Sequence, residues 1–191
     1  MPTESEAARP DLRQIHALHA DFVWRSLQRL GVRAADLEDA LQEVFIVVHR
    51  RLPSFDQTSR ITSWLFGICL RVASAQRRRA HVRREQTGTP PEWFESLETE
   101  RAGETSPEQA ALEREERAEL EALLDALEPA KRATVVMFEI EEMSAPEIAI
   151  LTGVPVSTVY SRLASAREIL KSAALRARRR ERSPIRTRGE R

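Results

Sequence analysis

One segment, residues 143–170 (MSAPEIAILTGVPVSTVYSRLASAREIL), leaves this chain little choice of local fold. Ser144 and Glu147 have the spacing of a capping box, in which each side chain satisfies a free backbone N–H at a helix start. Pro146 falls in the first turn, where its missing donor costs nothing. Ile148, Ala149 and Leu151 give a short first helix its inner face, and Ala149 is small enough to let a second helix approach closely. Gly153 permits the positive φ of a sharp turn, and Pro155 helps start a second helix with Val156, Val159, Leu163, Ala166 and Leu170 inside. Its outer side then presents Ser157, Thr158, Tyr160, Ser161, Arg162, Ser165 and Arg167. Short hydroxyls and Arg on one face reach phosphates and base edges in a DNA major groove. A helical hairpin with a polar exterior shares some of these features. The coincidence of cap, small residue, turn glycine and polar face at matching offsets favours a DNA-binding helix-turn-helix.

The rest of the chain also reads as helical. Leu12, Ile15, Leu18, Phe22, Leu27 and Leu30 recur at near-helical spacing up to Gly31. A second helix is expected from about Ala35 to Arg51, with Leu37, Leu41, Val44, Phe45 and Val48 inside and Pro53 as its stop. Pro53 to Arg60 has turn chemistry, and a third helix from about Thr62 to Arg79 carries Trp64, Leu65, Ile68, Cys69 and Val72. Residues 86–107 hold three Pro, two Gly and many Glu, which reads as an extended linker. Beyond it, Leu112, Leu120, Leu123, Leu124 and Leu127 share a helical face, Pro129 interrupts, and a short apolar helix is expected over Ala130 to Glu141. The expected fold is all-α, with two small helical domains joined by a flexible acidic linker. The boundaries are 11–84, 85–107 for the linker, 108–175 for the helix-turn-helix domain and 176–191 for a basic tail.

The 191 residues carry 30 Lys+Arg against 30 Asp+Glu, and a net charge of zero would ordinarily argue against a nucleic-acid partner. The distribution says otherwise. Residues 51–85 hold eight Arg and two acids, a charge of +6; residues 86–130 hold three Arg and 13 acids, −10; residues 151–191 hold 11 Lys+Arg and three Glu, +8. Two basic modules flank an acidic tether. A single cysteine, Cys69, excludes an intramolecular disulfide framework and suggests a reducing compartment. No apolar run approaches the roughly 20 residues of a membrane helix, and the N-terminus lacks a signal-peptide core, so a cytoplasmic location is expected.

Two stretches carry a family resemblance. Residues 36–68, DLEDALQEVFIVVHRRLPSFDQTSRITSWLFGI, resemble the second region of bacterial RNA polymerase sigma factors of the extracytoplasmic-function (ECF) type. TVYSRLASARE, inside the helix-turn-helix, resembles their fourth region, and the two together with the linker cover about residues 11–175. The resemblance implies promoter-specific transcription initiation. It implies docking of Asp36, Glu38, Asp39, Gln42 and Glu43 on the clamp helices of the polymerase largest subunit, with the flap as a second contact. It implies −10 promoter contacts by Asp56, Gln57, Thr58, Ser59, Arg60, Ser63, Trp64, Arg71, Arg77 and Arg78, with Arg79, Arg83 and Arg84 beside them. Trp64 fits a DNA contact and a core position equally, and Phe55 fits packing that shapes the loop. The outer face from Ser157 to Arg167 would read the −35 element. An anti-sigma factor is a possible further partner.

Departures from the family pattern are local. Arg71 stands where an Asn is usual, Ala75 where an Asp is usual, and Tyr160 replaces a frequent Lys. The first two leave the −10 preference open, and Tyr160 exchanges a phosphate-seeking charge for a phenol in the recognition helix. A DNA-binding regulator without polymerase contacts is the alternative reading, and run-off transcription separates the two. An enzyme is disfavoured: His16, His19, His49, His81 and Cys69 are scattered, no glycine-rich phosphate loop is present, and no metal or other cofactor is expected.

Overall fold

A computed structural model describes residues 11–55, 60–87 and 106–181. Among them are seven α-helices and no strand: α1 (Leu12–Arg29), α2 (Leu37–Arg51), α3 (Ile61–Thr87), α4 (Pro107–Asp125), α5 (Pro129–Val135), α6 (Ala145–Thr152) and α7 (Val156–Glu181). They fall into two compact units, residues 1–100 and 101–191.

The N-terminal unit is α1, α2 and α3, each packed on the other two. Ile15, Val23 and Leu27 of α1, Ala40, Val44 and Val48 of α2, and Leu65, Phe66, Cys69 and Ala73 of α3 bury their side chains together. The periodicity of α1 is shifted from expectation. Leu18 is 76% exposed, while Val23, which the sequence pattern did not select, is fully buried. In α2 the buried positions are Leu37, Ala40, Val44 and Val48, leaving Leu41 and Phe45 half-buried and the ring of Phe45 4.5 Å from that of His16. Gly31 ends α1 at φ +82°, with its N–H on Gln28 and the Val32 N–H on the Leu27 carbonyl. A 3₁₀ turn, Ala34–Asp36, leads into α2 and another, Leu52–Ser54, closes it at Pro53. Helix α3 runs eight residues past Arg79, well beyond the expected end.

In the C-terminal unit, Leu124, Leu127, Ala133, Val136, Met137, Ile148, Val159, Leu163 and Ala166 form the core. Ser106 caps α4 by accepting the Gln109 N–H at 3.3 Å. The expected leucine face of α4 is only half realised: Leu124 and Leu127 are buried, whereas Leu112 is 56% exposed. The core reaches only the last turns of that helix. The expected helix over Ala130 to Glu141 divides into α5 and a π-helical turn, Val136–Ile140, and Glu142 follows at φ +53°. Arg132 is buried, and its guanidinium is paired with Asp125. Burial raises the pKa of Glu121 nearby, against the lowering pull of Arg132 and Arg117 and with a smaller push from Asp125.

Candidate nucleic-acid interface

Helices α6 and α7 pack on each other as a helix-turn-helix. The capping box is formed: the Ser144 N–H donates to Glu147 Oε2 at 2.8 Å, the Ser144 hydroxyl donates to the same oxygen at 2.6 Å, and the Glu147 N–H donates to Ser144 Oγ at 3.4 Å. Gly153 closes α6 at φ +69°; an added Cβ would meet no neighbour, so the left-handed backbone alone demands glycine there. The turn brings α7 away at an angle that buries Val159, Leu163 and Ala166, while Leu170 is half-buried. Val156, expected inside, is instead 37% exposed at the first position of α7, ahead of the packed turn.

The seven outer residues of α7 divide. Ser157, Tyr160, Ser161 and Arg167 are exposed, and Thr158, Arg162 and Ser165 are half-buried on its flank. The Ser161 hydroxyl donates to the Thr158 carbonyl at 3.0 Å. Arg167 is held by its own unit: Nη2 and Nε donate to Glu139 Oε1 at 2.8 and 3.3 Å, and the guanidinium lies 6.0 Å from the Phe138 ring centre. Sequence spacing gave no hint of that pairing, because Glu139 lies in the π-helical turn. Basic residues continue along α7, with Lys171, Arg176, Arg178 and Arg179 exposed on a helix that extends to Glu181 rather than giving way to a tail at 176.

In the N-terminal unit the acidic residues gather around α2. Glu38, Asp39 and Gln42 are exposed, and Asp36 and Glu43 are half-buried. Two of the five carboxylate and amide groups are engaged within the unit. Asp36 Oδ2 receives Arg33 Nε at 2.8 Å and Nη2 at 2.7 Å. Glu43 receives both ends of the Arg79 guanidinium, Nη1 on Oε2 at 3.0 Å and Nη2 on Oε1 at 3.2 Å, and Gln76 Nε2 on Oε2 at 3.4 Å. The hydrogen bond to Glu43 raises the Arg79 pKa above its ordinary value. Among these acids lies an apolar residue that the sequence reading passed over: Ile46, 45% exposed, one turn on from Gln42 and Glu43. Its position off the buried rhythm of Ala40, Val44 and Val48 was the available clue.

Helix α3 carries a second row. Arg60 immediately precedes it, and Trp64, Arg71 and Arg78 follow at seven-residue spacing, which keeps them within about 40° of one another around the helix. Arg60, Arg71 and Arg78 are exposed and Trp64 is half-buried, so the row faces solvent. The Phe55 ring packs 4.8 Å from that of Trp64, tilted by 36°, and so braces the indole. Ser63 is half-buried beside it. Arg77 stands elsewhere. Its Nη1 donates to the Leu30 carbonyl at 2.7 Å and its Nη2 to Ser74 Oγ at 3.1 Å, so its guanidinium closes the C-terminus of α1. The residue expected as a phosphate contact thus has its guanidinium engaged within the unit. Asp56, Gln57, Thr58 and Ser59 lie outside the described residues, as does most of the acidic linker, and the side chains of Arg83 and Arg84 are likewise not described.

Among the described residues no three His, Cys, Asp or Glu side chains gather as metal ligands, and no helix is long and apolar enough to cross a membrane.

Comparison with known proteins places both units. Residues 15–83 match the family model for sigma-70 region 2, and residues 117–170 match that for sigma-70 region 4. The ECF RNA polymerase sigma factor SigE of Mycolicibacterium smegmatis is 35% identical over 170 residues, covering 88% of this chain and 63% of that protein. RNA polymerase sigma factor CnrH of Cupriavidus metallidurans is 30% identical over 165 residues, covering 83% of this chain and 84% of CnrH. Among solved structures, CnrH in complex with the cytosolic domain of CnrY aligns at a TM-score of 0.59 with 26% identity, over 87% of this chain and 88% of that one. The sigma factor RpoE of Bartonella quintana, in complex with the anti-sigma factor NepR, shares the fold at a TM-score of 0.66 and 19% identity, over 86% and 96% of the two chains.

Proposed function

Because this chain belongs to the ECF family of RNA polymerase sigma factors, we propose that it directs core RNA polymerase to promoters through a division of labour between its two units. Residues 11–84 dock on the polymerase and open the −10 element. Residues 108–175 hold the −35 element. The observation that carries this reading is the pairing on one small body of an acidic face around α2 with a cationic, aromatic row along α3. A protein that only binds duplex DNA has no use for the first of these.

The acidic face, Asp36, Glu38, Asp39, Gln42 and Glu43 around Ile46, meets the clamp helices of the polymerase largest subunit. An apolar centre ringed by charge is the usual anatomy of a specific contact. Arg60, Trp64, Arg71 and Arg78 line the path of the non-template strand: the cations neutralise phosphates, and the indole offers a stacking surface for an unstacked base. Asp56, Gln57, Thr58 and Ser59, with Ser63, supply polar edges to read that base. Ser157, Tyr160, Ser161 and the flanking Thr158, Arg162 and Ser165 enter the −35 major groove, and Arg167 adds a cation at its edge. Region 4 also meets the polymerase flap. The linker from 85 to 107, within the stretch of charge −10, passes through polymerase surfaces built for polyanions. The factor works in the cytoplasm and contributes recognition rather than catalysis, with no cofactor. The complex of Bartonella RpoE with NepR supports an anti-sigma partner for this chain as well.

Run-off transcription tests the reading. Core polymerase with this protein should initiate at discrete start sites whose upstream sequences share two spaced elements. Binding to promoter DNA without programming the core enzyme would return the protein to the class of helix-turn-helix regulators.

A further inference from the structure

Glu43 is claimed twice. It belongs to the acidic face of α2, and it is also gripped from α3 by both ends of Arg79 and by Gln76. A carboxylate offers about four acceptor positions, and three are already filled. A cationic fork from a partner needs both oxygens in one plane, which is the plane the Arg79 fork occupies. Glu43 therefore cannot receive such a partner and keep Arg79. The existing pair is suited to exchange, since its side chains are 56% and 32% exposed and a surface ion pair is weak and screened by salt.

Arg79 is also the last residue of the run Arg77–Arg79. Arg77 is committed to the α1 C-terminus and Arg78 is exposed in the cationic row. Detached from Glu43, Arg79 becomes one more cation on the helix that faces the strand.

We propose that the Arg79–Glu43 fork is a latch between polymerase docking and DNA binding: Glu43 exchanges Arg79 for a cation of the polymerase, and the released Arg79 takes a DNA phosphate. The free factor thus withholds one phosphate contact that the polymerase-bound factor makes. The inference rests on the reading that Glu43 lies in the docking face.

Three full-length variants test it, with circular dichroism melts to confirm folding. Removing the competitor in Arg79→Gln should tighten binding to core polymerase by about two- to fivefold. Glu43→Gln should weaken it by about tenfold, because the charged acceptor is gone. The salt dependence of binding to a single-stranded −10 oligonucleotide supplies the second readout. With free factor, Glu43→Gln should steepen the slope by about 0.7, and Arg79→Gln should leave it at the wild-type value. With polymerase-bound factor, Arg79→Gln should flatten the slope by about 0.7, while Arg79→Lys, which keeps a cation but not the fork, should preserve it. Weaker core binding by Arg79→Gln would make Arg79 a strut that positions Glu43, and would overturn the latch. So would equal slopes for wild type and Arg79→Gln on the polymerase. Unchanged core binding by Glu43→Gln would instead remove Glu43 from the docking face, and the latch would fall together with that reading.

Discussion

Helices α3 and α7 each carry a row of cations and a proposed DNA face, yet they hold those cations differently. In α3, Arg77 and Arg79 bind groups on the other two helices of the unit, the Leu30 carbonyl and the Glu43 carboxylate. The cations left facing solvent, Arg71 and Arg78 seven residues apart and Arg60 ahead of the helix, lie outside the packed side. In α7 the packing is done by Val159, Leu163 and Ala166, and the turn is set by the capping box and Gly153. Among the described residues, Arg167 is the one outer residue that bonds another element, through Glu139. In the N-terminal unit the same residue type holds the fold together and lines the proposed DNA face, whereas the C-terminal unit, Arg167 apart, separates its scaffold from the proposed reading face. Substitutions along α3 should therefore mix stability with function, and substitutions on the outer side of α7 other than at Arg167 should not.

The largest expected effect probes the scaffold of the second unit. Leu163→Ala opens a cavity in the α6–α7 core and should destabilise that unit by about 2–5 kcal/mol in urea unfolding. Core-polymerase docking by the first unit should survive while −35 recognition is lost; loss of both together would show that the units do not act separately. Next come the neighbours Arg77 and Arg78. Arg77→Ala orphans the Leu30 carbonyl and should cost about 1.5–3 kcal/mol of the first unit's stability. Arg78→Ala should stay within about 0.5 kcal/mol of wild type in the same measurement and reduce DNA affinity instead. Equal melting behaviour of the two variants would dissolve the distinction between structural and DNA-facing arginines. Ser144→Ala removes the cap of α6 and should cost about 0.5–2 kcal/mol, with a matching loss of −35 binding at temperatures near the transition.

What could be read in advance follows the same divide. The helix-turn-helix was legible because its determinants are local: Ser144 and Glu147 are three residues apart, and Gly153 meets a backbone demand of its own turn. The arginine contacts of α3 were not, since Arg77 finds its partner 47 residues away and Arg79 finds Glu43 at a separation of 36. Periodicity also cannot report where a neighbouring helix stops. Leu112 and Val156 have helical spacing with their core neighbours, yet each lies beyond the reach of the packed side and is exposed, while Leu18 is exposed because the buried stripe of α1 runs through Val23 and Leu27. The proposed docking face shows the converse. Its acids were identifiable from a family pattern, but Ile46 among them looks like one more core residue until the rhythm of Ala40, Val44 and Val48 excludes it.

The smallest expected effect concerns Glu121, where the scaffold of the second unit does hold a charge at a cost. Burial lifts the Glu121 pKa above the ordinary glutamate value, so the folded unit takes up a proton more readily than the unfolded chain. In the pH window between those two values the folded state binds more protons, and stability must fall as pH rises. Above the window the whole penalty of the ionised, partly desolvated carboxylate remains, offset in part by the attraction of Arg132. Glu121→Gln keeps the shape and removes the charge. At neutral pH it should make the second unit slightly more stable than wild type. As pH falls through the window, wild-type Glu121 becomes neutral as well, and the gap between the two proteins should close. The two proteins differ only at this side chain, so the difference in urea midpoint follows its charge. A gap that widens on acidification would mean that Arg132 rather than burial governs the site, and a gap constant with pH would mean that the two cancel.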